Sequence, residues 1–152
     1  MTLGWHTVME FSPSLVGCVI ANTNFSFEMI RKSRQCVINV PSVELVDEVV
    51  GIGNCSGAEV DKFERFHLTP VQGAEVAAPL IRECFVNLEC RVADGRLINA
   101  YNFFILEVLK AHVATALNIQ TLHYRGKGIF ITSGEVVNKR QKFTKWKDSP
   151  NF

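Results

Sequence analysis

Residues 22–26, Asn22-Thr23-Asn24-Phe25-Ser26, place four hydrogen-bonding side chains directly ahead of an apolar group at Phe27, Met29 and Ile30. The run before them, Ser14 to Ala21, is apolar around Val16, Val19 and Ile20, as in a buried strand. Arg31, Lys32 and Arg34 follow, as cations do near a helix C-terminus. A strand-to-helix junction of this kind joins side-chain donors to the free N–H groups of a helix start, whose dipole favours an anion by about 0.3–1 kcal/mol. A phosphate suits that corner. An ordinary helix cap by Asn24 or Ser26 uses the same residues, and the residues alone leave both roles open.

A second constellation is Met1-Thr2-Leu3-Gly4-Trp5-His6-Thr7. Gly4 permits close approach of a flat ligand, Trp5 offers stacking surface, and Thr2, His6 and Thr7 offer hydrogen bonds. An ordinary strand with one glycine reads the same way. His6, His67, His112 and His123 are scattered, and no Ser–His–acid or Cys–His pairing stands out. Neither G-x-G-x-x-G nor G-x-x-x-x-G-K-[ST] occurs, so Rossmann and P-loop nucleotide binding find no support. Five cysteines with no C-x-x-C, and no His at ligand spacing, exclude zinc and thioredoxin-type sites. Cys18, Cys36, Cys84 and Cys90 lie in strand-like apolar runs, where cysteine acts as a small hydrophobe. Cys55, in G-N-C-S-G, has the polar setting in which a thiol could react, or simply fills a turn.

The elements that must position these residues are mostly strands. Cys36 to Val40 reads as a buried strand halted by Pro41. Ser42 is placed to cap a helix bearing Val43, Val46, Val49 and Val50, which ends at Gly51 and Gly53. Ser56-Gly57-Ala58-Glu59 has capping-box form and predicts a helix through Phe63 and Phe66. From Cys84 to Val92 apolar residues alternate with Asn87, Glu89 and Arg91, predicting a strand with one wet face. Asp94-Gly95 signals a turn, residues 101–113 a long central strand, and Ile129 to Thr132 a last one. No strand–helix–strand rhythm appears, so the expected class is mainly β with short helices, an antiparallel barrel of the α+β kind. About five strong strands are few for closing a barrel of ~6–8.

The 152 residues suit one domain, and 47% hydrophobic with 20% charged residues excludes disorder. Net charge +1 argues against nucleic acid as a partner, and no apolar run reaches the ~20 residues of a membrane helix. No charged-then-apolar secretory pattern follows Met1, and unpaired cysteines fit a reducing compartment, so the expected location is cytoplasmic. Residues 138–152 hold five of the 16 basic residues and one of the 15 acidic ones, a +4 tail on a −3 body. Such an end is ordinarily a solvated terminus. The division expected is therefore a domain over 1–137 and a basic tail over 138–152.

Taken in order, M-T-L-G-W-H-T, S-P-S-L-V-G-C-V-I, N-T-N-F-S-F-E-M-I-R-K-S, C-V-I-N-V-P, C-S-G-A-E-V-D-K-F, P-L-I-R-E-C, L-E-C-R-V and N-F-F-I-L-E-V-L-K-A-H-V resemble the flavin reductase-like family, up to about Gly134. That family includes flavoredoxins and the reductase components of two-component flavin monooxygenases. The resemblance implies an FMN-binding split barrel, a homodimer, and a flavin near the subunit interface. By the same resemblance Thr2, Gly4, Trp5, His6 and Thr7 line the ribityl chain and ring, while Asn22, Asn24, Phe25 and Ser26 hold the 5′-phosphate. Lys62, in Asp61-Lys62-Phe63, adds positive charge near the flavin, and His123-Tyr124 falls in a late segment that approaches the ring or simply packs. Relatives carry a further strand ahead of the M-T motif, so a start at Met1 implies a missing first strand and an open edge.

The implied function is NAD(P)H:flavin reductase chemistry: hydride passes from NADH or NADPH to the flavin N5, then electrons pass to an acceptor or a redox partner protein. No side chain is needed as nucleophile or base. The alternative is a non-enzymatic FMN-binding electron carrier or interaction module of the same fold.

Overall fold

Ser12-Pro13 turns the chain between β1 (His6–Phe11) and β2 (Ser14–Val19), an antiparallel hairpin with His6 opposite Cys18 and Phe11 opposite Ser14. The chain then enters α1 (Phe25–Ser33) and β3 (Gln35–Val40). A 3-10 turn (Val43–Leu45) leads into α2 (Val46–Gly53), and α3 (Lys62–Arg65) follows. Next come β4 (Pro70–Val71), β5 (Leu80–Ile81), β6 (Val86–Asp94), α4 (Ile98–Tyr101) and β7 (Phe103–Val113). The closing hairpin is β8 (Leu122–Gly126) with β9 (Ile129–Thr132). This computed structural model describes residues 1–115, 119–137 and 139. The basic tail thus lies, Lys139 apart, outside the described residues.

Five strands form one antiparallel sheet in the order β1-β2-β7-β6-β3, with β4-β5 and β8-β9 as separate two-stranded ribbons. The expected mainly-β architecture with short helices is the one observed. β7 sits at the centre because Phe104 and Leu106, both essentially solvent-free, alternate toward the covered face. There they meet Cys18, Ile20, Cys90, Val92 and Ile98, and α1 closes the layer with Phe27. The Phe27 and Phe104 rings pack edge to face with centroids 5.3 Å apart. Burying one such side chain contributes about 1.5–3 kcal/mol. This contact fixes where α1 begins, and with it the junction at residues 22–26. Among the described residues no helix is long and apolar enough to cross a membrane.

Four sequence expectations are corrected. The hairpin strand β1 escapes the sequence count because its apolar residues face solvent, Phe11 being 89% exposed and Val8 76%, and β8 escapes it because it carries only Leu122 and Tyr124 among polar residues. The capping box at Ser56 opens no helix. Ser56 makes a local turn, its Oγ accepting from Ala58 N at 3.2 Å, and α3 is capped instead by Asp61, whose Oδ1 accepts from Phe63 N (2.8 Å) and Glu64 N (3.2 Å). Ser42 stands at the cap position before Val43 but forms no side-chain cap bond. Finally, β6 starts at Val86 rather than Cys84, and its polar face is wet only at Arg91. Asn87 and Glu89 are buried, because the loop from Gly73 to Ala77 folds over that face.

Glu89 is satisfied there by the protein itself. Its carboxylate accepts backbone N–H bonds from Ala74 (3.1 Å), Glu75 (2.7 Å) and Val76 (2.9 Å), and His112 Nε2 lies 2.6 Å from Oε1. Burial alone would raise its pKa, but the His112 and backbone bonds outweigh it and hold the carboxyl down to about 2. Asn87 Oδ1 likewise accepts from Ile81 N at 2.8 Å, tying β5 to β6.

Candidate functional site

The junction between β2 and α1 opens on a predominantly polar cavity of about 340 Å³. One wall is Thr23, Asn24, Phe25 and Ser26; the facing wall is the loop from Ile52 to Gly57, with Glu59 and Lys62. Asn24 occupies the N-cap position with extended backbone (φ −79°, ψ 135°), yet its side chain makes no cap hydrogen bond. Phe27 N–H is taken by the Asn24 carbonyl at 3.0 Å, while no cap side chain claims the N–H groups of Phe25 and Ser26. Of the two roles left open for this junction, self-capping by Asn24 is not the one adopted.

The facing wall is held in place by backbone ties. Gly51 on α2 lies so close to Phe66 that a Cβ there would sit 2.3 Å from Cε1, so only glycine lets α2 settle against the end of α3. Lys62, the first residue of α3, donates from Nζ to Ile52 O (2.7 Å) and Cys55 O (2.6 Å). It shapes the loop and brings its charge to the cavity at once. Cys55 lines the same cavity, its thiol donating to Gly51 O at 3.4 Å. Thr2 completes the rim, with Oγ1 donating to Val49 O at 2.6 Å. That bond fastens the start of the chain to α2.

From Thr2 the chain runs directly into a second groove of about 300 Å³, lined by Gly4, Trp5, His6 and Thr7 together with Gly17, Val19 and Phe103. Its lining is mostly apolar. Val19 N donates to Trp5 O at 3.0 Å, which registers this stretch on β2. Trp5 itself is 77% exposed. A Cβ on Gly17 would fall 2.5 Å from Phe103 Cζ, so the tip of the Phe103 ring comes right up to the glycine in the groove lining. Tyr124 closes on Gly4 from the other side, its Cδ1 3.0 Å from where a Cβ would be. His123 is turned to Thr121, with Nε2 2.8 Å from Oγ1.

Of the residues singled out from sequence, Asn24, Phe25, Ser26, Lys62 and Thr2 line the polar cavity, and Gly4, Trp5, His6 and Thr7 line the groove. Asn22 lines neither. It is exposed in the turn before α1, and Thr23 takes the place beside the cavity. Gly17 and Phe103 were not anticipated. The readable signal was the lone glycine inside the L-V-G-C-V-I strand, which marks a close approach by another group. The loop 52–57 carried no such signal beyond its glycines.

The groups present suit a long ligand with an anionic end and a flat end. Uncommitted amide and hydroxyl donors and a lysine gather at one cavity, and a shallow apolar floor lies in the other. The seven residues from Met1 to Thr7 span both.

Comparison with known proteins agrees with this geometry. A family model described as flavin reductase like domain matches residues 1–133. An uncharacterized protein of Archaeoglobus fulgidus is 36% identical over 109 residues, covering 72% of this chain and 62% of that protein. The chain thus spans less than two thirds of that relative's length. An FMN-binding domain of a flavin reductases-like enzyme from Shewanella baltica superposes with a TM-score of 0.80 at 24% identity, covering 90% of this chain and 79% of that one. The flavoredoxin of Desulfovibrio vulgaris gives 0.81 at 22% identity, covering 95% and 82%. The chain belongs to the flavin reductase-like family and has the fold of its FMN-binding members.

Proposed function

We propose that this protein is an FMN-dependent oxidoreductase of the NAD(P)H:flavin reductase type. The observation that carries the reading is the pairing of two cavities along Met1 to Thr7: a polar one at an uncapped helix start and an apolar-floored one beside Trp5. The 5′-phosphate is assigned to the first, held by Asn24, Ser26 and the N–H groups of Phe25 and Ser26, with Lys62 adding charge. Phe25 packs at its rim. Gly4, Trp5, His6 and Thr7 orient the ring over Phe103 and Gly17. When bound, the flavin supplies the redox chemistry, accepting hydride at N5 from NADH or NADPH and passing electrons on. The chain's own residues hold, orient and shield; none serves as nucleophile or general base.

A homodimer belongs to this reading. Its support is the exposed apolar residues Val8 and Phe11 on β1, an outer strand of the five-stranded sheet, with exposed Trp5 just ahead of it. So does a cytoplasmic setting, supported by five cysteines that are all free. The test is steady-state oxidation of NADH and NADPH with added FMN, alongside the mass of the protein in solution. Turnover by a dimer is expected. Tight flavin binding without turnover identifies an electron carrier instead, and no binding overturns the reading.

A further inference from the structure

Cys36 and Cys90 are direct cross-strand partners in the β3–β6 ladder. Both point into the covered face of the sheet, where Cys90 is wholly buried and Cys36 is partly open to solvent. Opposed residues of an antiparallel pair hold their Cα atoms about 4.5–5.5 Å apart, within the Cα separations of about 4.4–6.8 Å that a disulfide spans. Cys18 shares the same core, but β7 lies between its strand and β6. Two strand spacings of ~4.8 Å put it beyond that span.

We propose that Cys36 and Cys90 form an oxidation site, a thiol pair that hydrogen peroxide converts to a cross-strand disulfide locking β3 onto β6. Cys36 reacts first because it alone of the two meets solvent. Its sulfur attacks one peroxide oxygen, the O–O bond breaks, and one water leaves as a sulfenic acid forms. The Cys90 sulfur then displaces the sulfenic oxygen, which leaves with the Cys90 proton as a second water while the S–S bond forms. Two thiols and one peroxide give one disulfide and two waters; each sulfur loses one electron and the peroxide gains two. The Cys90 neighbour and burial hold the Cys36 thiol well above its ordinary range, so the reaction is slow and selects a small oxidant. The consequence is mechanical. β3, an outer strand of the sheet, becomes covalently fixed to its neighbour.

The test exposes the folded chain and its Cys55→Ser variant to hydrogen peroxide, followed by intact mass and non-reducing peptide mapping. Expected is loss of two hydrogens, a linked peptide joining Cys36 to Cys90, reversal by dithiothreitol, and a higher unfolding midpoint for the oxidised form. Cys36→Ser treated identically forms no such link. Oxygen addition at either cysteine without linkage, a link to Cys18 or Cys84, or no change while methionines oxidise would each overturn the proposal.

Discussion

Two places in this molecule present backbone donors, and they differ in whether the chain's own carboxylate fills them. Under the loop from Gly73 to Ala77, three consecutive backbone N–H groups close on Glu89 from the chain itself. At the start of α1, the N-cap side chain bonds nothing, and the donors face a cavity of about 340 Å³. The first arrangement is complete, buried and joined to His112; the second is open and edged by Lys62. A nest of donors filled by the protein's own side chain serves stability. One that the chain leaves uncommitted is available to a ligand.

The largest effect should come from emptying the filled nest. Glu89→Ala strands three backbone donors in a buried site, and the expected loss is about 3–5 kcal/mol of unfolding free energy by urea titration. Folded Glu89→Ala should still bind FMN, since the two nests share no residue. Next, Ser26→Asp sets a negative charge against the assigned phosphate and should weaken FMN binding on the order of 100-fold in a fluorescence titration, with little change in stability. Gly17→Ala drives a methyl into the Phe103 ring; a loss of about 1–3 kcal/mol in stability is expected, with weaker binding of riboflavin and FMN alike.

The same nest also sets an acid limb of stability. The folded carboxyl of Glu89 titrates near 2, below its ordinary value of 4.5. Between those values the unfolded chain binds the proton first, so stability falls as pH falls. The contribution is full above pH 4.5 and lost toward pH 2. Glu89→Gln should flatten that part of a stability-against-pH curve. An unchanged slope would detach the carboxylate from the loop.

Period and punctuation made much of this legible. The apolar runs around Val16 and from Tyr101 on, with the polar group before Phe27, were enough to place β2, the start of α1 and β7, although α4 holds Tyr101 and β7 begins at Phe103. Where the sequence misled, a long-range contact had replaced a local rule. Glu89 alternates like a surface residue, yet a loop some fifteen positions away wraps it. The S-x-x-E pattern at Ser56 is a cap in form, but Asp61 takes the role because α3 begins after it. β1 hides its strand character by exposing apolar side chains such as Val8 and Phe11. Phe103 could not be matched to Gly17 from sequence, since only the β2–β7 register brings them together.

The most direct measurement compares FMN with riboflavin, which lacks only the phosphate, against the purified chain and its Ser26→Asp variant. If the start of α1 is the phosphate seat, FMN binds the wild-type chain on the order of 100-fold more tightly than riboflavin, and Ser26→Asp removes most of that gap. Equal affinity for the two flavins, or a gap that Ser26→Asp leaves untouched, would contradict the assignment.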